Sequence, residues 1–121
     1  MKKINYFISG IILFFFIALS INKAQESVEA KGKLLFKDYK CTSCHAIESQ
    51  GFLKKGKSSA PDLSDVGDRI KPDFMKKYLT KEEKLNDLKH AVSFKGNDEE
   101  FKTLIEWLSA LKKEEAKKES K

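Results

Sequence analysis

The two cysteines of this chain fall three positions apart and are followed at once by a histidine, in the run Cys41-Thr42-Ser43-Cys44-His45. Nothing else in the sequence restricts its folding so strongly, because two thiols and an imidazole must be brought together within about one turn of chain. The restriction matters more in a short chain. Of the 121 residues, those at 4–21 carry no charge, follow Met1-Lys2-Lys3 and contain the apolar run 11–19. Such a segment is an export signal rather than a fold element. Residues 1–24 are therefore read as a signal peptide or an N-terminal membrane anchor, and the folded domain is expected over 25–112, with a charged C-terminal tail at 113–121. A domain of this size buries a modest core, and small domains commonly lean on a disulfide, a metal or a cofactor.

Ala18-Leu19-Ser20 places small residues where a signal peptidase requires them. Equally, an uncharged stretch at about 1.5 Å per residue reaches ~27 Å, close to the thickness of a hydrocarbon core. Cleavage yields a soluble protein and retention a tethered one. In either case the flanking lysines stay inside and the domain is delivered to the bacterial periplasm. Lys2, Lys3 and Lys23 account for three of the 24 basic residues, so the formal net charge of +6 falls to +3 outside this segment. Basic and acidic residues are interleaved there, which together with export argues against nucleic-acid binding. The length excludes a substrate domain beside a cofactor domain.

The periodicity predicts an all-α domain. A first helix is expected over 25–40, with Val28, Leu35, Phe36 and Tyr39 near one face and Gly32 marking a close approach of another element. Residues 41–60, with Gly51, Gly56 and several lysines and serines, read as irregular surface chain. A short helix is expected over 73–79, opened by Pro72. Asn97 and Glu100 form the signature of a capping box ahead of Phe101, Leu104, Ile105, Leu108 and Leu111, the strongest amphipathic pattern in the chain. No repeat and no strand pattern is found.

Two thiols at this spacing can each add across a vinyl group of haem, leaving the adjacent histidine to reach the iron. Three other readings share some of these residues. A redox-active disulfide uses the same cysteine spacing but usually sits at a helix start in a sheet-containing fold. Zinc could draw on Cys41, Cys44, His45 and His90, although adjacent Cys44 and His45 would strain one tetrahedral site. A structural disulfide needs no histidine.

From Val28 to Lys112 the chain resembles a class I, mono-haem c-type cytochrome. The resemblance is carried by Gly32 and Phe36, by the motif at 41–45, by Ala60-Pro61-Asp62-Leu63 and Val66-Gly67-Asp68-Arg69, by the segment 74–79 and by Trp107, in that order along the chain. It implies a small cytochrome c fold of three to five helices around one covalently attached haem c. It also implies that Gly32, Phe36 and Trp107 share a helix crossing, that the Pro61 carbonyl accepts a hydrogen bond from His45, and that Arg69 lies near a haem propionate. Leu35, Phe36, Leu63, Phe74, Tyr78, Leu85, Phe94, Leu104 and Leu108 are expected to enclose the ring.

The sequence departs from the family pattern at the sixth iron ligand. Where a methionine and a proline are usual, the chain reads Leu88-Lys89-His90-Ala91-Val92-Ser93-Phe94-Lys95-Gly96. His90 is the only histidine besides His45 and is expected opposite it. Met75 is the alternative ligand, although its place in the 74–79 segment fits core packing better, and an open site is the third reading. With both positions filled, the protein is expected to carry single electrons between redox proteins such as a dehydrogenase and a membrane oxidoreductase or terminal oxidase. Lys40, Lys54, Lys55, Lys57, Lys89 and Lys95 would suit an acidic partner. An open site would instead make a gas-binding or peroxide-reducing protein, and a haem subunit of a dehydrogenase is a further reading.

Overall fold

The computed structural model describes residues 27–113; the export segment and all of the tail beyond Lys113 lie outside the described residues. Four helices and two short 3-10 turns carry the described residues. Among the described residues helix α1 covers 27–38, α2 is the single turn Val66–Arg69, α3 runs over Pro72–Leu79 and α4 over Asp98–Ala110. The 3-10 turns are Cys41–Ser43 and Glu48–Gln50. Among the described residues there is no strand, only isolated bridges between Ile47 and Phe52 and between Leu85 and Leu88. The fold is all-α, as the periodicity predicts.

Local chemistry sets the boundaries. Asn97 Oδ1 accepts the Glu100 N–H at 2.9 Å and Glu100 Oε2 accepts the Asn97 N–H at 3.0 Å, so the capping box at the start of α4 is complete. Pro72 opens α3, where its missing N–H costs nothing, and Lys76 and Lys77 lie at the end where the helix dipole favours cations. Helix α1 stops short of the predicted residue 40. Lys40 adopts a left-handed conformation, φ 56°, which turns the chain out of the helix and into the first 3-10 turn.

Helix α4 is the hub of the core. Leu104, Ile105, Trp107 and Leu108 are buried on it, and Leu111 follows at its end. Trp107 meets Phe36 of α1 at 5.7 Å between ring centroids in an edge-to-face arrangement and Phe52 at 6.3 Å. The indole Nε1 is buried and makes no hydrogen bond to another described residue. Two glycines allow other elements to press against α4. A Cβ on Gly32 would lie 2.4 Å from the Trp107 Cβ, and one on Gly67 would lie 2.1 Å from the Ser109 carbonyl oxygen. The Gly67 N–H donates to the Leu111 carbonyl at 2.9 Å, so α2 is bonded to α4 as well as packed on it.

The segment read as irregular surface chain also supplies the core. Ile47 is 0% exposed and Phe52 packs against the cluster. Reciprocal backbone bonds between them, 2.8 and 3.0 Å, fold 47–52 into a closed turn with both side chains inward. No periodic pattern announces this, because one tight turn turns two apolar residues to the same side.

The crossing at Gly32 generates a test. Alanine at this position gains about 1 kcal/mol of helix propensity, but its methyl group meets Trp107 near the backbone, where only movement of a whole helix relieves it. Overpacking of this kind costs about 1–3 kcal/mol. Gly32→Ala is therefore expected to lower the denaturant midpoint, and an unchanged or raised midpoint would show that the crossing tolerates a side chain.

Candidate functional site

Helix α1 delivers the cysteine pair. The Cys44 and His45 N–H groups donate to the Cys41 carbonyl at 3.1 and 2.9 Å, which wraps the backbone of 41–45 into one turn. Thr42 is buried, and its carbonyl accepts the Lys55 N–H at 2.8 Å, fastening the following loop to the motif. No disulfide joins the two cysteines, and burial pushes the Cys41 thiol up to about 11.

The segment around Pro61 is strapped to the same turn. The Leu63 N–H donates to the Ala46 carbonyl at 2.9 Å, the Glu48 N–H to Asp62 Oδ2 at 3.1 Å and the Ser49 N–H to Ser64 Oγ at 3.0 Å. Pro61 is thereby held with its carbonyl oxygen 3.0 Å from His45 Nδ1. A carbonyl can only accept, so Nδ1 carries the proton and Nε2 keeps a lone pair. Burial holds the His45 imidazole below its ordinary range, with His90 and Lys54 acting in the same direction and the Pro61 carbonyl opposing them.

His90 reaches the site from a different part of the chain. After α3, Leu85 and Leu88 exchange backbone bonds at 2.9 and 3.1 Å across Asn86 and Asp87, whose φ values of 51° and 63° meet the requirement of a type I′ turn. The chain then returns to the end of α3. The Phe94 N–H donates to the Leu79 carbonyl at 3.0 Å and Lys81 Nζ to the Ala91 carbonyl at 2.8 Å. Between these ties, His90 Nδ1 donates to the Val92 carbonyl at 2.5 Å, which leaves its Nε2 lone pair available in the same way.

The two imidazoles lie with ring centroids 6.1 Å apart and planes 5° from parallel. A metal about 2 Å from a nitrogen of each ring, with each nitrogen roughly 1 Å from its own ring centre, requires a centroid separation of about 6 Å. The ring separation therefore matches what an iron held between the two imidazoles would require, beside the two cysteines on one turn. These residues do not fit a bare metal: among the described residues no group of three or more His, Cys, Asp or Glu could hold an ion. Met75, the other candidate ligand, is 5% exposed and belongs to the core cluster.

The remaining sequence candidates are distributed unevenly. Arg69 donates from Nε to Asp65 Oδ1 at 2.8 Å and from Nη2 to the Asp62 carbonyl at 2.7 Å, so part of its donor set is already engaged. Leu63 and Phe94 pack against the core, whereas Leu85, expected among the enclosing residues, is exposed at the base of the type I′ turn. Sequence reasoning missed Asp62 and Lys81. Asp62 follows the singled-out Pro61, and an Asp two residues before a Ser is a known local bonding pattern that could have marked it. Lys81 had no such signal.

A family model described as Cytochrome c matches residues 29–112. Cytochrome c oxidase subunit 2 of Bacillus subtilis (strain 168) is 33% identical over 102 residues, covering 75% of this chain and 28% of that protein. The chain thus spans little more than a quarter of this relative's length. No solved structure matches.

Asp62 provides a test of how Pro61 is held. Burial acts to raise its carboxyl, but hydrogen bonds from Ser64 and the Glu48 N–H, with the charge of Arg69, outweigh it and hold the group below the ordinary carboxylate value. A depressed folded value means that the stabilisation is present above the unfolded value of about 3.9 and is lost as pH falls through the folded one. Asp62→Asn is expected to lower the thermal midpoint at neutral pH, and the gap to the parent is expected to close below about pH 4. A gap that persists unchanged into acid would contradict a charged acceptor at this position.

Proposed function

The chain belongs to the cytochrome c family, and from that premise we propose that it is a mono-haem one-electron carrier of the bacterial periplasm, with haem c on Cys41 and Cys44 and with His45 and His90 as the two iron ligands. The observation that carries the reading is the parallel imidazole pair 6.1 Å apart, each ring tied at Nδ1 to a backbone carbonyl. When bound, haem c supplies an iron that cycles between ferric and ferrous states.

The protein's part is to hold both imidazoles through that cycle. The straps from 61–64 to 45–49 fix one of them, and the ties from Leu79 and Lys81 to 91–94 fix the segment that bears the other. The Nδ1–H bonds strengthen both rings as donors to a metal. A methionine ligand raises the iron potential, so replacing it with a second imidazole gives a lower one. Arg69 retains N–H groups beyond the two engaged by Asp65 and Asp62, and these suit a propionate carboxylate. Filled axial positions leave no place for a substrate, which supports a carrier rather than an enzyme.

The export segment supports delivery to the periplasm, either free or tethered at residues 4–21. Lys40, Lys54, Lys55, Lys57, Lys89 and Lys95 are exposed, which suits brief, salt-sensitive docking to an acidic redox protein. The likeness to an oxidase subunit supports a terminal oxidase as the electron acceptor.

The ferric protein is expected to be six-coordinate and low-spin, without the near-infrared band of methionine ligation. His90→Ala is expected to open the site, so that the ferrous variant binds carbon monoxide and the parent does not. A methionine band in the parent, or a variant that stays low-spin and refuses carbon monoxide, would overturn the ligand assignment. Absence of a covalently added haem mass would overturn the whole reading.

A further inference from the structure

His90 lies in a segment without regular structure, and its own hydrogen bond goes to Val92, two residues along the same segment and exposed. That bond decides which nitrogen carries the proton. It does not decide how the ring is turned relative to the rest of the molecule, since donor and acceptor move together. The orientation must come from outside the segment, and Tyr78 is placed to supply it. Its ring lies 5.3 Å from His90 between centroids, at 72°, near the perpendicular arrangement that aromatic pairs favour. Tyr78 stands on the last turn of α3, and its ring is backed by Phe74 at 6.1 Å and 15°.

Because the Leu79 carbonyl and Lys81 side chain tie 91–94 to the end of α3, the segment is held against the helix that carries Tyr78. His45 takes its plane from Pro61, through straps that do not involve α3. Two separate supports thus produce planes that agree to 5°. We infer that Tyr78 is a positioning residue that locks the His90 imidazole plane parallel to that of His45, an inference that rests on the axial pairing proposed above.

The consequence is electronic. Each imidazole donates into the iron d orbital perpendicular to its plane. Parallel rings raise the same orbital and split the pair widely, whereas rings at right angles raise one each and leave them nearly equal. Paramagnetic resonance of the frozen ferric protein reads this splitting: a rhombic spectrum with all features resolved for parallel planes, a single highly anisotropic low-field feature for crossed planes.

The haem-loaded parent and Tyr78→Phe, which keeps the ring and loses only the hydroxyl, are expected to give the rhombic spectrum. Tyr78→Leu is expected to remain low-spin and six-coordinate in its optical spectrum while its resonance shifts toward the anisotropic form. An unchanged rhombic spectrum in Tyr78→Leu overturns the inference. So does loss of His90 ligation in that variant, since Tyr78 would then be needed for ligation and not for orientation. If Tyr78→Leu does not fold, Tyr78→Met, a flexible side chain of similar reach, is read by the same criteria. The parent alone separates the two levels. A low-spin bis-imidazole protein with an anisotropic signal overturns the role of Tyr78 and leaves the axial pairing standing, whereas a high-spin parent or a methionine band overturns both.

Discussion

The contact of α1 with α4 at Gly32 and Trp107 is the constraint on which the rest of the molecule depends. With no side chain on Gly32, the indole lies directly against the α1 backbone, and Phe36, one turn on, closes over its edge. Burying a large side chain of this kind contributes about 1.5–3 kcal/mol, and Phe36, Leu104, Ile105 and Trp107 are all at or below 2% exposure around this crossing. The end of α1 is thereby fixed, and the cysteine turn begins three residues beyond it. The site inherits its position from a contact that involves none of its own residues.

The two sides of the site are built by different means. The side of Cys41, Cys44 and His45 is local: five consecutive residues wrapped on one carbonyl, then strapped to 61–64. The side of His90 is assembled over a longer span from a two-residue turn, a lysine reaching a carbonyl and one backbone bond to the end of α3. Lys81, Asn86 and Asp87 all take left-handed conformations in that stretch. Such a connection buries little apolar surface, and Leu88 and Val92 are 69% and 64% exposed within it. Its order derives from hydrogen bonds, so coordination of His90 would add to its stability more than coordination of His45 adds to the other side.

This difference explains what could be read from the sequence. The capping box at Asn97 and Glu100, the apolar stripe of α4 and the opening of α3 at Pro72 are local patterns, and they appear in the structure at the residues that signal them. The motif at 41–45 is equally local. His90 was visible only as a histidine near the place where the family expects a ligand, and the groups that hold it and its segment are scattered over Tyr78, Val92 and, through the Ala91 carbonyl, Lys81. Ile47 escaped because a single turn has no periodicity. The engagement of Arg69 by Asp65 follows the helical spacing of four residues and could have been read beforehand. Its second bond, to the Asp62 carbonyl, depends on the path of the chain and could not.

The cap of the last helix is completed by the first. Tyr39, just past α1, donates its hydroxyl to Glu100 Oε2 at 2.8 Å, the same oxygen that accepts the Asn97 N–H, and that hydrogen bond, more than burial or the neighbouring carboxylates, pushes the phenol upward in pKa. Sixty-one positions separate the two residues. Neither end of the domain is therefore a self-sufficient unit: opening one exposes the amides of the other, and exchange with solvent should report a single cooperative melting of both terminal helices rather than independent fraying.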